Sequence, residues 1–149
     1  MIILIMENKM IEISGNIWNS NSQFKCITTN GVLKKDESLV MGKGIALDAL
    51  NRFPKLAIEL GYLVKNFGNN PYIFLEYGLF SFPTKNHWKD NSDIKLIERS
   101  CSVIAAFSKI YDIKSIALPK PGCGNGNLLW SNVKPILEKY FDDKFTVYI

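Results

Sequence analysis

Two glycine-rich segments and one lysine-bearing loop carry most of the chemistry available to this sequence. Met41, Gly42, Lys43, Gly44 and Ile45 form the first segment; Pro121, Gly122, Cys123, Gly124, Asn125, Gly126 and Asn127 form the second. Glycine adopts positive φ without a Cβ penalty and lets the backbone approach a ligand closely. Successive amides in such a turn converge on a concave nest that suits phosphate, helped by the N-terminus of a following helix. Neither segment matches G-x-x-x-x-G-K-[ST], which excludes a P-loop nucleotidase. A Rossmann site would need an acidic residue on a second strand about 20 positions further on. Asp142 and Asp143 lie near that distance but end a helical segment. The residues alone therefore point to a diphosphate-containing ligand.

The third segment is F-P-T-K-N-H-W-K, residues 82–89. A deprotonated lysine amine is a good nucleophile toward an electrophilic sugar carbon. His87 is the single histidine of the chain, and histidine is the usual side chain for moving protons near neutral pH. Without further context Lys85 reads as one lysine of a solvated loop. Trp88 reads as a packing residue, and Trp130 as packing the last helix against the second glycine loop. Cys123 reads as a small filler, since no base is paired with it in the sequence. Cys26, Cys101 and Cys123 are widely spaced, without C-x-x-C or a His/Cys cluster, so no zinc or other metal is expected.

These loops need rigid elements to position them. Residues 10–14, 24–28, 72–75, 79–82, 115–118 and 145–149 read as strands. Residues 1–6 read as an edge strand or an upstream extension, too short for a signal h-region or a membrane span. Helices follow the first glycine segment, with Ile45, Leu47, Leu50 and Phe53 as the apolar stripe, and cover residues 56–64 and 131–141. Another starts at Ser92 as N-cap, with Asp93 in its first turn and Ile94, Ile97, Cys101 and Ile104 at helical spacing. Residues 31–40 read as a polar loop. Strands linked both directly and through helices predict a mixed central sheet covered on both faces, an α/β/α sandwich. At 149 residues the chain is expected to form one domain.

The spaced motifs resemble the macro domain family. M-G-K-G-I-A-L-D-A-L-N-R-F-P (41–54) is similar to its first phosphate loop and helix, and L-P-K-P-G-C-G-N-G-N-L-L-W (118–130) to its second. I-E-I-S-G-N-I-W (11–18) resembles the opening strand with its G-D-[IL] turn. F-P-T-K-N-H-W-K resembles the DarG-type antitoxin branch, which removes ADP-ribose from thymidine bases in DNA. The resemblance implies a three-layer macro domain fold. It assigns ADP-ribose binding to Asn16, Ile17 and Asn30, to residues 41–45 and to residues 121–127. It makes Lys85 the catalytic residue, acting at the anomeric carbon of the distal ribose; His87 reads from its own chemistry either as a ribose contact or proton shuttle or as a loop histidine satisfied by backbone. Asn16 stands where many relatives carry an aspartate that accepts from the adenine amino group. Gly126 stands where the protein-directed relative carries a second-loop aspartate, so that carboxylate is absent here, as in the thymidine-directed branch. A side chain at Gly126, above all an acidic one, is expected to disrupt the nest.

Composition bounds the partners. A net charge of +4 suits anionic ligands. Arg52 and Arg99 are the only arginines among 18 basic residues, which argues against a dedicated duplex reader. The abundant Lys, Asn and Ile fit an AT-rich genome, that of a low-GC bacterium or a phage. The expected partner is ADP-ribose or an ADP-ribosylated substrate, including ADP-ribosylated single-stranded DNA. No cofactor and no membrane contact is expected, and the chain is expected to be a monomer. The odd cysteine count predicts a reducing cytoplasm, that of the host for a phage protein. An ADP-ribose 1″-phosphate phosphatase, a protein ADP-ribosyl hydrolase and a non-catalytic ADP-ribose reader use the same pocket, and an unrelated nucleotide-binding α/β protein stays open beside them.

Overall fold

The computed structural model describes residues 8–149; the edge strand expected over residues 1–6 lies outside the described residues. Among the described residues six strands form one sheet: β1 (Ile11–Ile13), β2 (Phe24–Thr29), β3 (Ile73–Phe74), β4 (Leu79–Pro83), β5 (Ile116–Pro119) and β6 (Phe145–Tyr148). Their spatial order is β1-β6-β5-β2-β4-β3. Every pairing is parallel except β3 against β4, so the sheet is mixed, as its two kinds of connection require.

Period-two side-chain alternation sends neighbouring residues of β2 to opposite faces. Cys26 packs with Phe80, Phe82, Ile97, Cys101, Val133 and Leu137. Ile27 packs with Leu79, Ala46, Ala49, Leu56 and Leu60. Helices α1 (Gly44–Arg52) and α2 (Leu56–Phe67) thus cover one face, and α3 (Ile94–Ile110) and α4 (Trp130–Tyr140) the other. The result is the expected three-layer sandwich. Among the described residues no helix is long and apolar enough to cross a membrane.

Four local readings change. Asp93, not Ser92, caps α3: its Oδ1 accepts from the Lys95 and Leu96 amides at 2.9 and 3.4 Å. A carboxylate fills this role as well as a hydroxyl and adds favourable charge at the helix start. Of the expected α1 stripe, Ile45, Leu50 and Phe53 pack on the core from partly buried positions and Leu47 is exposed, while the fully buried contacts are made by Ala46 and Ala49. Small residues let the helix lie close to the sheet, a preference that periodicity of large residues misses. The strand expected over 72–75 shortens to two residues because a turn at 75–78 follows directly.

Residues 31–40 are not a featureless loop. They fold back through a Leu33–Leu39 bridge, with Lys34 N donating to Ser38 O at 2.8 Å and Val40 N to Val32 O at 2.9 Å. Leu39 is buried in the core beneath α2, which an alternation-based reading of a charged segment does not reveal.

Candidate functional site

Strands β2, β4 and β5 run parallel, so their carboxyl ends share one edge of the sheet. The chain leaves β2 for β4 and then crosses back to β5 on its other side. Such a switch point leaves a crevice outside the strand ends. A cleft of about 930 Å³ opens there, lined by Thr28–Asn30, Val40–Ala46, Thr84, Lys85, Trp88–Asp90, Ser92, Pro119, Lys120, Gly122 and residues 124–127.

Both glycine segments face this cleft and meet each other. Gly44 has φ of +58°, and a Cβ there would lie 3.2 Å from Asn125 Nδ2. Gly44 also begins α1, whose first turn has no side-chain cap. Its leading amides are therefore left for an anion, whereas those of α3 are taken by Asp93. In the second loop Gly122 (φ +78°) and Asn127 (φ 62°) adopt the left-handed region. Gly126 is buried and its carbonyl accepts from Ser92 N at 3.0 Å. A Cβ at Gly126 would overlap Ser92 Oγ and the Gly122 carbonyl. Ser92 Oγ itself is buried, lines the cleft and has no hydrogen-bond partner among the described residues, an arrangement suited to donating into the nest.

Lys85 lies in the turn after β4 and lines the cleft. Its Nζ donates to the Asn125 carbonyl at 3.1 Å and reaches the Trp88 carbonyl at 3.4 Å. Among the described residues it forms no ion pair with a carboxylate. Its backbone is held from several sides. Thr84 N donates to Thr29 O at 3.0 Å, and Asp93 N to Thr84 O at 2.8 Å. Asn69 Nδ2 donates to Lys85 O at 2.9 Å. Gly31 N donates to Asn86 O at 3.2 Å, and Gly31 sits so close to Asn69 that a Cβ would come within 3.0 Å of its amide. Lys43, Lys85, Lys89 and Lys120 line the cleft against one carboxylate, Asp90, so its field favours an anionic ligand.

The remaining sequence-selected residues fall in different places. Met41 and Asn30 line the cleft. Asn30 also shapes it: its Nδ2 donates to Val40 O at 2.9 Å and its Oδ1 accepts from Val32 N at 2.8 Å. Asn16, Ile17, His87, Pro121 and Cys123 are outside the lining. Asn16 Oδ1 accepts from Trp18 N at 3.0 Å and caps the 3-10 turn Ile17–Asn19, whose Ile17 is buried. His87 Nδ1 accepts from Lys89 N at 3.1 Å within its own turn. Burial pushes the Cys123 thiol up, and its sulfur lies 3.6 Å from Pro121 O, so it stays a filler. Trp130 packs on the core and also donates to Glu12 Oε1 at 3.0 Å. Trp88 is a correction: it is 46% exposed and lines the cleft.

Sequence reasoning missed Thr28, Thr29, Thr84, Ser92 and Lys120. The rule that ligands gather at carboxyl ends of parallel strands would have marked the threonines that end β2. Nothing local distinguishes Ser92.

No family model matches the chain. It is 33% identical over 152 residues to a DNA ADP-ribosyl transferase–DNA ADP-ribosyl glycohydrolase fusion protein of Thermosipho africanus, covering 86% of this chain and 38% of that protein. The chain thus spans well under half the length of the curated relatives it matches. The macrodomain of Mycobacterium tuberculosis DarG superposes with a TM-score of 0.81 at 26% identity, over 95% of this chain and 97% of that one. Thermosipho africanus DarTG, solved in complex with ADP-ribose, gives a TM-score of 0.78 at 30% identity, over 92% and 40% respectively. With twin glycine loops joined at a parallel-sheet switch point and likeness over nearly its full length to these folds, the chain belongs to the macro domain family, in the DarG branch.

Proposed function

We propose that this chain binds ADP-ribose in the cleft and releases it from thymidine bases of DNA, as an ADP-ribosyl glycohydrolase. One observation carries the reading: the Lys85 amine is held at the second glycine loop, 3.1 Å from the Asn125 carbonyl, inside the same cleft as both loops. Relatives named DNA ADP-ribosyl glycohydrolase support the reaction, and the ADP-ribose complex of the Thermosipho africanus protein supports the ligand.

In this reading the amides of residues 42–45 and 122–127 hold the diphosphate, assisted by the uncapped start of α1. The distal ribose then lies toward Lys85. The Lys85 amine attacks the anomeric carbon as the bond to the base breaks, and a proton lost from the attacking nitrogen passes to the leaving base. Water afterwards cleaves the lysine adduct and frees both ADP-ribose and the amine. Asn16 and Ile17 are the proposed adenine contacts; with Asn16 Oδ1 already accepting from Trp18, one lone pair remains for a ligand. His87 serves the reaction by fixing the turn between Lys85 and Lys89.

The test is incubation with an ADP-ribosylated thymidine oligonucleotide. Lys85→Ala is expected to lose release by at least about a hundredfold, the scale of a positioned catalytic group, while calorimetric ADP-ribose affinity stays within about threefold. Unchanged turnover removes Lys85 from the mechanism. Wild-type affinity without turnover reduces the chain to a reader, and absent affinity removes the reading altogether.

A further inference from the structure

We propose that Trp88, with Lys89 beside it, is a stacking platform for a base of the modified single strand at the mouth of the cleft; the assignment rests on the DNA-directed reading above. Two of the three tryptophans have a packing role. Trp18 lies against the α1/α2 core and Trp130 against the α3/α4 core. Trp88 belongs to neither core cluster and is 46% exposed. A large aromatic surface left in water brings little to the fold. Its position supplies the missing reason, for it lines the cleft beside Lys85.

The turn joins the two side chains mechanically. The Trp88 carbonyl is 3.4 Å from Lys85 Nζ, so one short segment presents both the amine and the ring. The His87 ring is tilted by 33° against Trp88 with centroids 5.3 Å apart, which braces it. The Lys89 ammonium lies 5.2 Å from the Trp88 ring centroid. An exposed ring with an adjacent cation is the usual pairing for single strands: bases stack on the ring and the cation meets the phosphate. Lys43 and Lys120 extend the positive rim on the opposite loops, with Asp90 as the single lining carboxylate among the described residues. An acidic peptide would engage the lysines and leave the ring unused, whereas a nucleic-acid strand uses both.

The experiment titrates the full chain with unmodified single-stranded oligothymidine, following tryptophan emission and the anisotropy of a labelled strand. Binding is expected to quench the wild type, and the quenching is expected to vanish in Trp88→Phe, whose smaller ring still binds the strand. Trp88→Ala is expected to raise the strand Kd about tenfold and to raise KM for the ADP-ribosylated oligonucleotide more than it lowers kcat. Lys89→Ala is expected to make the slope of log affinity against log salt shallower by about 0.7. Quenching that persists in Trp88→Phe, or an unaltered strand Kd in Trp88→Ala, overturns the platform. So does equal quenching by an acidic peptide of the same charge. Because the strand carries no ADP-ribose, a wild type that binds and quenches but never releases ADP-ribose sinks the glycohydrolase reading and upholds the platform.

Discussion

Gly126 shows how one missing Cβ shapes the site. Its Cα faces inward, against Ser92 Oγ and the Gly122 carbonyl, and its carbonyl anchors Ser92 N at 3.0 Å. Any side chain must push the loop away from the segment that starts α3. The charge of a glutamate, which the sequence reading emphasised, is therefore not needed for damage. Gly126→Ala alone is expected to lower stability by about 1–3 kcal/mol through overpacking, read as a reduced denaturant midpoint at unchanged slope. It is also expected to weaken ADP-ribose binding by tenfold or more in calorimetry. Wild-type affinity in this variant would show that the second loop does not hold the ligand. Gly42 is the contrast: nothing lies within 4 Å of a Cβ there, so its lack of a side chain leaves open space in the cleft and is not required by the packing of the chain.

At the scale of elements, α2 carries a glycine where helix propensity would favour alanine. Gly61 is buried, and a Cβ there would run into the Glu37 carbonyl. In an exposed helix interior Gly→Ala gains about 1 kcal/mol. Here the sign reverses, because the 31–40 fold-back lies directly on the helix. Gly61→Ala is expected to lower the thermal midpoint, whereas a gain would mean that the fold-back does not pack on α2 as described. The coupling reaches the site: Leu39 N donates to Ala57 O at 2.8 Å, and the returning strand delivers Val40 and Met41 to the cleft. Helix α2 thus sets the first glycine loop from behind. The Lys65–Glu37 pair at 2.6 Å tethers the same fold-back, but both partners are exposed, and such pairs contribute little.

For the molecule as a whole, β1 is tied to α4 by one partly buried cluster. Glu12 on β1 accepts from Trp130 Nε1 at 3.0 Å and pairs with Lys134 Nζ at 2.8 Å. The Lys134 hydrogen bond holds the Glu12 carboxyl below its ordinary range, against an opposing push from burial. A depressed folded-state pKa adds stability that is present above the unfolded value, near 4.3, and is lost as pH falls through the folded value. Lys134 is raised by its bond to Glu12, so its share is present below the ordinary lysine value and lost only at strongly alkaline pH. Glu12→Gln is expected to lower stability at neutral pH and to flatten the decline below about pH 4.3. Parallel acid limbs for both proteins, measured by thermal midpoint against pH, would remove Glu12 as the source.

The chain of residues by itself determined the layers and the two glycine loops. Strand and helix periods, with glycines at strand-to-helix junctions, are local properties that survive in one dimension. They marked residues 41–45 and 121–127 and the lysine loop between them, segments that the fold brings to one cleft except for Pro121 and Cys123. Only the tertiary structure decided which neighbours those segments acquire. The fold-back of 31–40, the contact of Gly44 with Asn125, the burial of Ser92 behind Gly126 and the exposure of Trp88 all join positions far apart in sequence or depend on what does not cover them. The physical reason is that burial and convergence arise from sheet order. β2 must lie between β4 and β5 before the loops beyond them share one cleft, and no spacing along the chain states that order.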